Sequence, residues 1–112
     1  MALKINLELD NGIVLTYHRI VSINKITNSS NIIELASYIS EKERKKEERY
    51  QSLQTKAISG ALNDTEKDEL NKGINVFIET DYINSEYNED ITIKDTYKYL
   101  KTLDKFKDAV DI

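Results

Sequence analysis

Apolar and polar side chains alternate along the first forty residues in the way that is typical of β-strands with one buried face. Leucine or isoleucine occupies every odd position of residues 3–9, and polar side chains separate them. An Asn-Gly pair follows, and both residues accept the positive φ angles of tight hairpin turns. Further apolar runs cover 13–27, with a change of phase near His18 that a β-bulge would explain, and 32–39. The pattern predicts a three-stranded β-meander over residues 3–39.

Residues 41–73 differ from the rest of the chain because charged side chains dominate them. Residues 41–49 are all charged, four acidic and five basic. Ser40 with Glu43 three residues later forms a capping-box pattern, and apolar residues then recur at helical spacing over 50–58. The segment is either a helical hairpin or a mobile insertion between strands. The pattern favours one charged helix followed by a poorly packed loop.

The last forty residues return to regular patterns. Residues 74–83 read as a strand with apolar side chains on both faces, which predicts a strand covered on both sides. Thr92 and Asp95 form an N-terminal cap for a helix over 92–103, whose apolar residues recur every three or four positions. The apolar residues of 104–112 should pack either on the chain's own sheet or on a neighbouring subunit.

Together these elements predict a single α+β domain over residues 1–112. Its antiparallel sheet has about four strands, with the C-terminal helix packed on the sheet and a charged helical insertion in the middle. The composition, 39% apolar and 32% charged, suits a soluble globular domain. No apolar window is long enough to span a membrane, and the opening residues do not form a secretion signal. The net charge of −4 argues against a general nucleic-acid binder.

The sequence contains few residues of the types that catalysis or cofactor binding requires. It contains no cysteine, which excludes disulfides, thiolate zinc sites and cysteine nucleophiles. The single histidine, His18, would need a nucleophile or an orienting carboxylate nearby, and the sequence places none there. The three isolated glycines of the chain cannot form a phosphate-binding loop. We therefore expect no catalytic residue, no cofactor and no enzyme activity, and a structural role for His18.

Two clusters of charge have a functional and a structural interpretation. The acidic residues Asp81, Glu86, Glu89 and Asp90 could ligate calcium, but they lack the EF-hand spacing and its central glycine. Acidic residues near a helix start are also favoured by the helix dipole, so we expect no metal. The basic residues of 41–49 could contact an anionic surface. Their neighbouring glutamates nearly cancel them, which favours a solvated helix face. These basic residues are Lys42, Arg44, Lys45, Lys46 and Arg49.

Seven tyrosines without a tryptophan are the remaining peculiarity of the composition. Tyrosine is common at protein interfaces because its ring can be buried while its hydroxyl stays hydrogen-bonded. The helical spacing of Tyr97 favours a core position, whereas Tyr87 lies in a polar loop and is the better interface candidate. The candidate interface residues are Tyr82, Tyr87, Phe106, Val110 and Ile112.

The opening hairpin and the strand that ends near residue 40 follow the patterns NG(V/I)xxxYHxI and ASYxSxxxR. The matching residues are Asn11, Gly12, Tyr17, His18, Ile20, Ala36, Ser37, Tyr38, Ser40 and Arg44. On these residues, and on residues 75–83 and 97–100, the chain resembles small structural proteins of tailed bacteriophages and prophages of low-GC Gram-positive bacteria, usually encoded among tail and baseplate genes. The resemblance covers most of the chain except 45–73. The charged segment 41–73 is longer and more helical than this group leads us to expect.

The resemblance implies a non-enzymatic structural subunit of a phage or phage-like tail, in or near the baseplate. Such a subunit would be made in the bacterial cytoplasm and located in the virion. Its implied partners are copies of itself, as a trimer or hexamer, and neighbouring tail or baseplate proteins, with no nucleic acid and no membrane. The alternative is a small phage or prophage regulatory module that inhibits a host protein by binding it.

Overall fold

The alternating pattern of the first forty residues forms three consecutive antiparallel strands. The computed structural model of the protein describes all 112 residues. The strands are β1 (Leu3–Glu8), β2 (Val14–Ile26) and β3 (Ser30–Tyr38). Gly12, with φ of 86°, lies in the first turn and Asn28, with φ of 59°, in the second. Both residue types accept this left-handed region at low cost, so the two turns depend on them.

Two further strands complete a five-stranded antiparallel sheet in the order β4-β3-β2-β1-β5. They are β4 (Ile78–Glu86) and β5 (Val110–Asp111). The predicted α+β class is confirmed, but the sheet has five strands instead of about four. The extra strand comes from the end of the chain, which pairs with β1. Ala2 and Ile112 add two backbone hydrogen bonds of 3.0 Å next to this pairing.

The bounds of β4 differ from the predicted 74–83 because a strand can pair only as far as its neighbour extends. Tyr38, the last residue of β3, pairs with Ile78, and Ser30, the first, pairs with Glu86. Residues 74–77 therefore have no partner strand, although their apolar side chains suit one. The strand instead continues three residues into the segment predicted as a polar loop.

The charged segment forms a helical hairpin, not one helix with a loosely packed loop. Its helices are α1 (Glu41–Ile58) and α2 (Asp64–Lys72). Asn63 caps α2 in a full capping box with Glu66, and the Glu66 carboxylate also accepts a hydrogen bond of 2.6 Å from Lys56 in α1. Lys56 and the Asn63 N–H lower the pKa of Glu66. The expected cap at Ser40 is absent, because its side chain makes no capping hydrogen bond.

The core lies between one face of the sheet and the C-terminal part of the chain. The helix α3 (Ile93–Leu100) begins with the predicted Thr92–Asp95 capping box and is shorter than the predicted 92–103. A short 3₁₀ turn (Asp104–Phe106) follows it. The seven residues of the core cluster are Leu3, Ile20, Ile33, Leu35, Tyr97, Leu100 and Phe106. Residues 104–112 thus belong to the chain's own fold.

Tyr97 connects three distant parts of this core and is 4% exposed, which confirms its predicted core position. The strand β2 has an irregular register between Ile20 and Ser22, the bulge that the change of phase predicted near His18. At this point the Ile20 N–H donates a hydrogen bond of 2.8 Å to the Tyr97 hydroxyl, which itself donates to the Met1 carbonyl at 2.9 Å. The phenol therefore satisfies a buried N–H of β2 and the carbonyl of the first residue, which precedes β1.

Candidate assembly surface

The strand β4 forms an unpaired edge of the sheet along its full nine residues. The opposite edge is β5, which is only two residues long. At the centre of β4, the side chain of Tyr82 is 65% exposed. A long open edge presents a row of free backbone donors and acceptors that another strand can pair with. This edge is therefore the surface of the fold best suited to binding another protein chain.

Two hydrogen bonds show which residues of β4 point their backbone groups away from β3. The Tyr82 N–H donates to the Oδ1 of its neighbour Asp81 at 2.9 Å, and the Asn84 carbonyl accepts from the Tyr99 hydroxyl at 3.5 Å. In an antiparallel strand the N–H and C=O of one residue point to the same side, and alternate residues share that side. The even-numbered residues of β4 consequently offer their backbone groups to a partner.

The edge is strongly acidic towards its end. Residues 79–90, here called the acidic segment, contain no lysine or arginine. Its acidic residues are Glu79, Asp81, Glu86, Glu89 and Asp90. Among their carboxylates only that of Asp81 has a cationic partner, Lys105, at 2.9 Å, and Lys25 donates a hydrogen bond to the backbone carbonyl of Glu89. Charged residues on an edge strand discourage unspecific pairing and so restrict which chain can bind there.

A groove of about 390 Å³ with basic walls lies between α1, α2 and the chain just before β4. Its cationic residues are Lys42, Lys45, Lys46 and Arg49, and Tyr50, Leu53 and Ile74 supply apolar surface. The positions 42, 45, 46 and 49 share one side of a helix, so the fold separates charges that the sequence interleaves. Lys46 pairs with Glu43 of the same helix, and Arg49 pairs with Glu69 of α2. We call this feature the basic groove.

The opposite side of α1 is attached to the sheet by its carboxylate Glu47. This side chain accepts hydrogen bonds from the Tyr38 hydroxyl at 2.6 Å and from Arg44, and it pairs with Arg19 at 3.5 Å. Burial, together with the hydrogen bond to Glu47, raises the pKa of Tyr38, so its hydroxyl remains a donor. Arg19 in turn donates to the same hydroxyl at 3.0 Å. This attachment fixes the rotation of α1 and leaves its lysines facing outward.

The five interface candidates occupy three different places. Tyr82 lies on the open edge, and Tyr87 is half-buried in the loop that follows it. Val110 and Ile112 are exposed at the far edge, beside β1. Phe106 requires a correction, because its ring is completely buried in the core and is unavailable to a partner. The fold therefore does not gather these residues into one surface.

His18 is enclosed and bridges three strands. Its Nε2 lies 2.9 Å from the Ile5 carbonyl, which can only accept, so Nε2 carries the proton and Nδ1 accepts from the Ser37 hydroxyl at 2.7 Å. Burial lowers the pKa of His18, which keeps the ring neutral. Its ring meets Phe106 edge-on, with 5.4 Å between centroids. Sequence reasoning missed Ser37 because the two residues meet only across neighbouring strands.

The acidic residues considered for calcium are not brought together as ligands. No group of three or more histidine, aspartate or glutamate side chains in the structure could hold a metal ion. None of the helices combines the length and apolarity that a membrane crossing requires. Comparisons with protein-family models, with curated proteins and with solved structures give no match.

Proposed function

We propose that this chain is a non-enzymatic assembly subunit of a phage or phage-like tail, located in or near the baseplate. It acts by binding copies of itself and neighbouring tail proteins. The observation that carries the proposal is the open edge of β4, which is long, exposed and marked by Tyr82 at its centre. Strand addition at such an edge gives affinity through backbone hydrogen bonds and specificity through side chains.

The placing of this activity in a phage tail depends on the resemblance of the two hairpin patterns. In the fold, the first pattern covers the turn before β2 and the first half of β2, and the second covers the end of β3 and the start of α1. The strand β3 is paired directly to β4, so it supports the open edge. A rigid sheet with one long free edge suits a part that pairs with another strand in a fixed register. The enclosed His18 and Ser37 lie on the same strands, where their hydrogen bond connects β2 to β3.

The test is mass spectrometry of purified particles released after induction of the strain that encodes the chain. We expect the chain at a level stoichiometric with other tail proteins. Detection of the chain in the cell lysate but not in the purified particles would refute the tail role. A stable complex with one host protein, isolated from that lysate, would then favour the alternative of a small inhibitor.

A variant at the edge connects this test to the surface. Thr80→Pro removes an outward N–H of β4 while leaving the hydrogen bonds to β3 in place, since proline is tolerated on edge strands. We expect the Thr80→Pro variant to be absent from particles and the Thr80→Ala variant, which retains the N–H, to be incorporated. Circular dichroism and urea unfolding verify that both variants fold. Equal incorporation of the two folded variants would show that the edge is not the assembly surface.

A further inference from the structure

The open edge of β4 has opposite charge at its two ends. Ile74, four residues before the strand begins, lines the basic groove. At the other end, the strand leads directly into Glu86, Glu89 and Asp90. The nine strand residues separate these ends by about 30 Å at roughly 3.3 Å per residue. An antiparallel arrangement of two such edges therefore brings each acidic end to the basic end of the other.

One register of two antiparallel β4 strands lets the outward backbone groups form hydrogen bonds and also pairs the full length of both strands. With a two-fold axis at Tyr82, this residue faces its own copy, Thr80 faces Asn84 and Ile78 faces Glu86. These are the residues whose backbone groups point outward, so every facing pair can exchange hydrogen bonds. All nine residues of each strand are paired, whereas moving the axis by one residue in either direction pairs only seven.

The same register also avoids repulsion between the acidic side chains of the two strands. Glu79 faces Ser85, and Asp81 faces Ile83. With the axis at Asp81, that carboxylate would face its own copy, and directly opposed like charges destabilise a sheet. Continuing the register at Tyr82 beyond the strand ends places residues 87–90 level with 74–77 of the other copy. That is where the basic groove lies.

We infer that the first contact of assembly is a two-fold dimer of this chain, in which β4 pairs with β4 about Tyr82. In each copy, the end of the acidic segment that carries Glu86, Glu89 and Asp90 lies against the basic groove of the other copy. This inference rests on the proposed function and names the partner of its surface. The two sheets become one continuous sheet, and the Tyr99 and Asp81 contacts to outward backbone groups are replaced by strand pairing.

Disulfide trapping tests the register directly, because the chain has no cysteine of its own. Facing residues of a hydrogen-bonded antiparallel pair lie about 5.5 Å apart at Cα, within the range of roughly 4.4–6.8 Å that a disulfide requires. Tyr82→Cys should therefore give a covalent dimer on mild oxidation. The matched control Glu86→Cys places its two thiols about 26 Å apart and should stay uncrosslinked. Absence of the dimer in the first variant, or equal crosslinking of both, would overturn the register.

Charge reversal tests the groove. The double variants Lys45→Glu/Lys46→Glu and Glu89→Lys/Asp90→Lys should each weaken dimerisation at least tenfold at low salt, measured by analytical ultracentrifugation. Mixing the two should restore it, since each altered end then meets its complement. The control pair Lys94→Glu/Lys98→Glu makes the same charge change on α3. The differences in dimer affinity between the charge variants and the wild-type chain should shrink in 1 M salt, where the screening length is about 3 Å.

The outcomes separate this inference from the proposed function. A wild-type chain that is present in particles but sediments as a monomer would overturn the dimer and leave the tail role standing. A chain that dimerises and crosslinks at Tyr82 but is absent from particles would support the dimer and refute the tail role. Charge variants that dimerise as tightly as wild type would remove the groove from the interface.

Discussion

Replacing Phe106 by alanine should strongly destabilise the folded chain, because its ring is the part of the C-terminal turn that enters the core. The side chain is 0% exposed and meets the His18 ring at 5.4 Å. Removing a buried phenylalanine ring costs about 3–5 kcal/mol, and the lost aromatic contact belongs to that sum. A domain of this size is stable by about 5–15 kcal/mol, so the loss is a large fraction of the free energy of unfolding.

Urea unfolding followed by circular dichroism measures the effect. A loss of about 4 kcal/mol with a slope near 2 kcal/mol per molar urea lowers the midpoint by about 2 M. The control is Phe77→Ala, which alters the only other phenylalanine, 37% exposed in the segment before β4. It should cost less than about 1 kcal/mol. A Phe106→Ala variant that is as stable as wild type but has lost self-association would refute the core assignment and restore Phe106 to an interface.

Three further outcomes follow from buried polar contacts. Tyr97→Phe should lower the free energy of unfolding in urea by about 1–3 kcal/mol, because it leaves a buried N–H of β2 unsatisfied. The control Tyr99→Phe should lower it by almost nothing, and equal losses for the two variants would contradict this reasoning. Glu47→Gln should loosen α1 by about 1–3 kcal/mol and speed its proteolysis, and the exposed control Glu48→Gln should not. Burial lowers the pKa of His18 below its ordinary 6.5, so the unfolded chain takes up this proton first. Stability should therefore fall as pH drops below about 6.5, and an NMR titration that gives an ordinary or raised pKa would contradict it.

The sequence by itself determined those features that depend on near neighbours in the chain. The alternation of residues 3–9 predicts β1 because side chains of a strand point to opposite faces in turn. Thr92 and Asp95 predict the start of α3 because both capping hydrogen bonds span only three residues. The spacing of Tyr97 likewise predicts its burial. Nothing in these arguments requires knowledge of a distant segment.

Tertiary structure decided the features that depend on which segments meet. The bounds of β4 come from the length of β3, and the burial of Phe106 comes from the return of the chain to β1. The charges of 41–49 nearly cancel when counted along the chain. Helix formation places the lysines on one side of α1, and Glu47 fixes the rotation of that helix against the sheet so that this side faces outward and lines the basic groove. Helical spacing alone could have shown that the lysines share one side, but only packing determines which side of a helix faces the solvent.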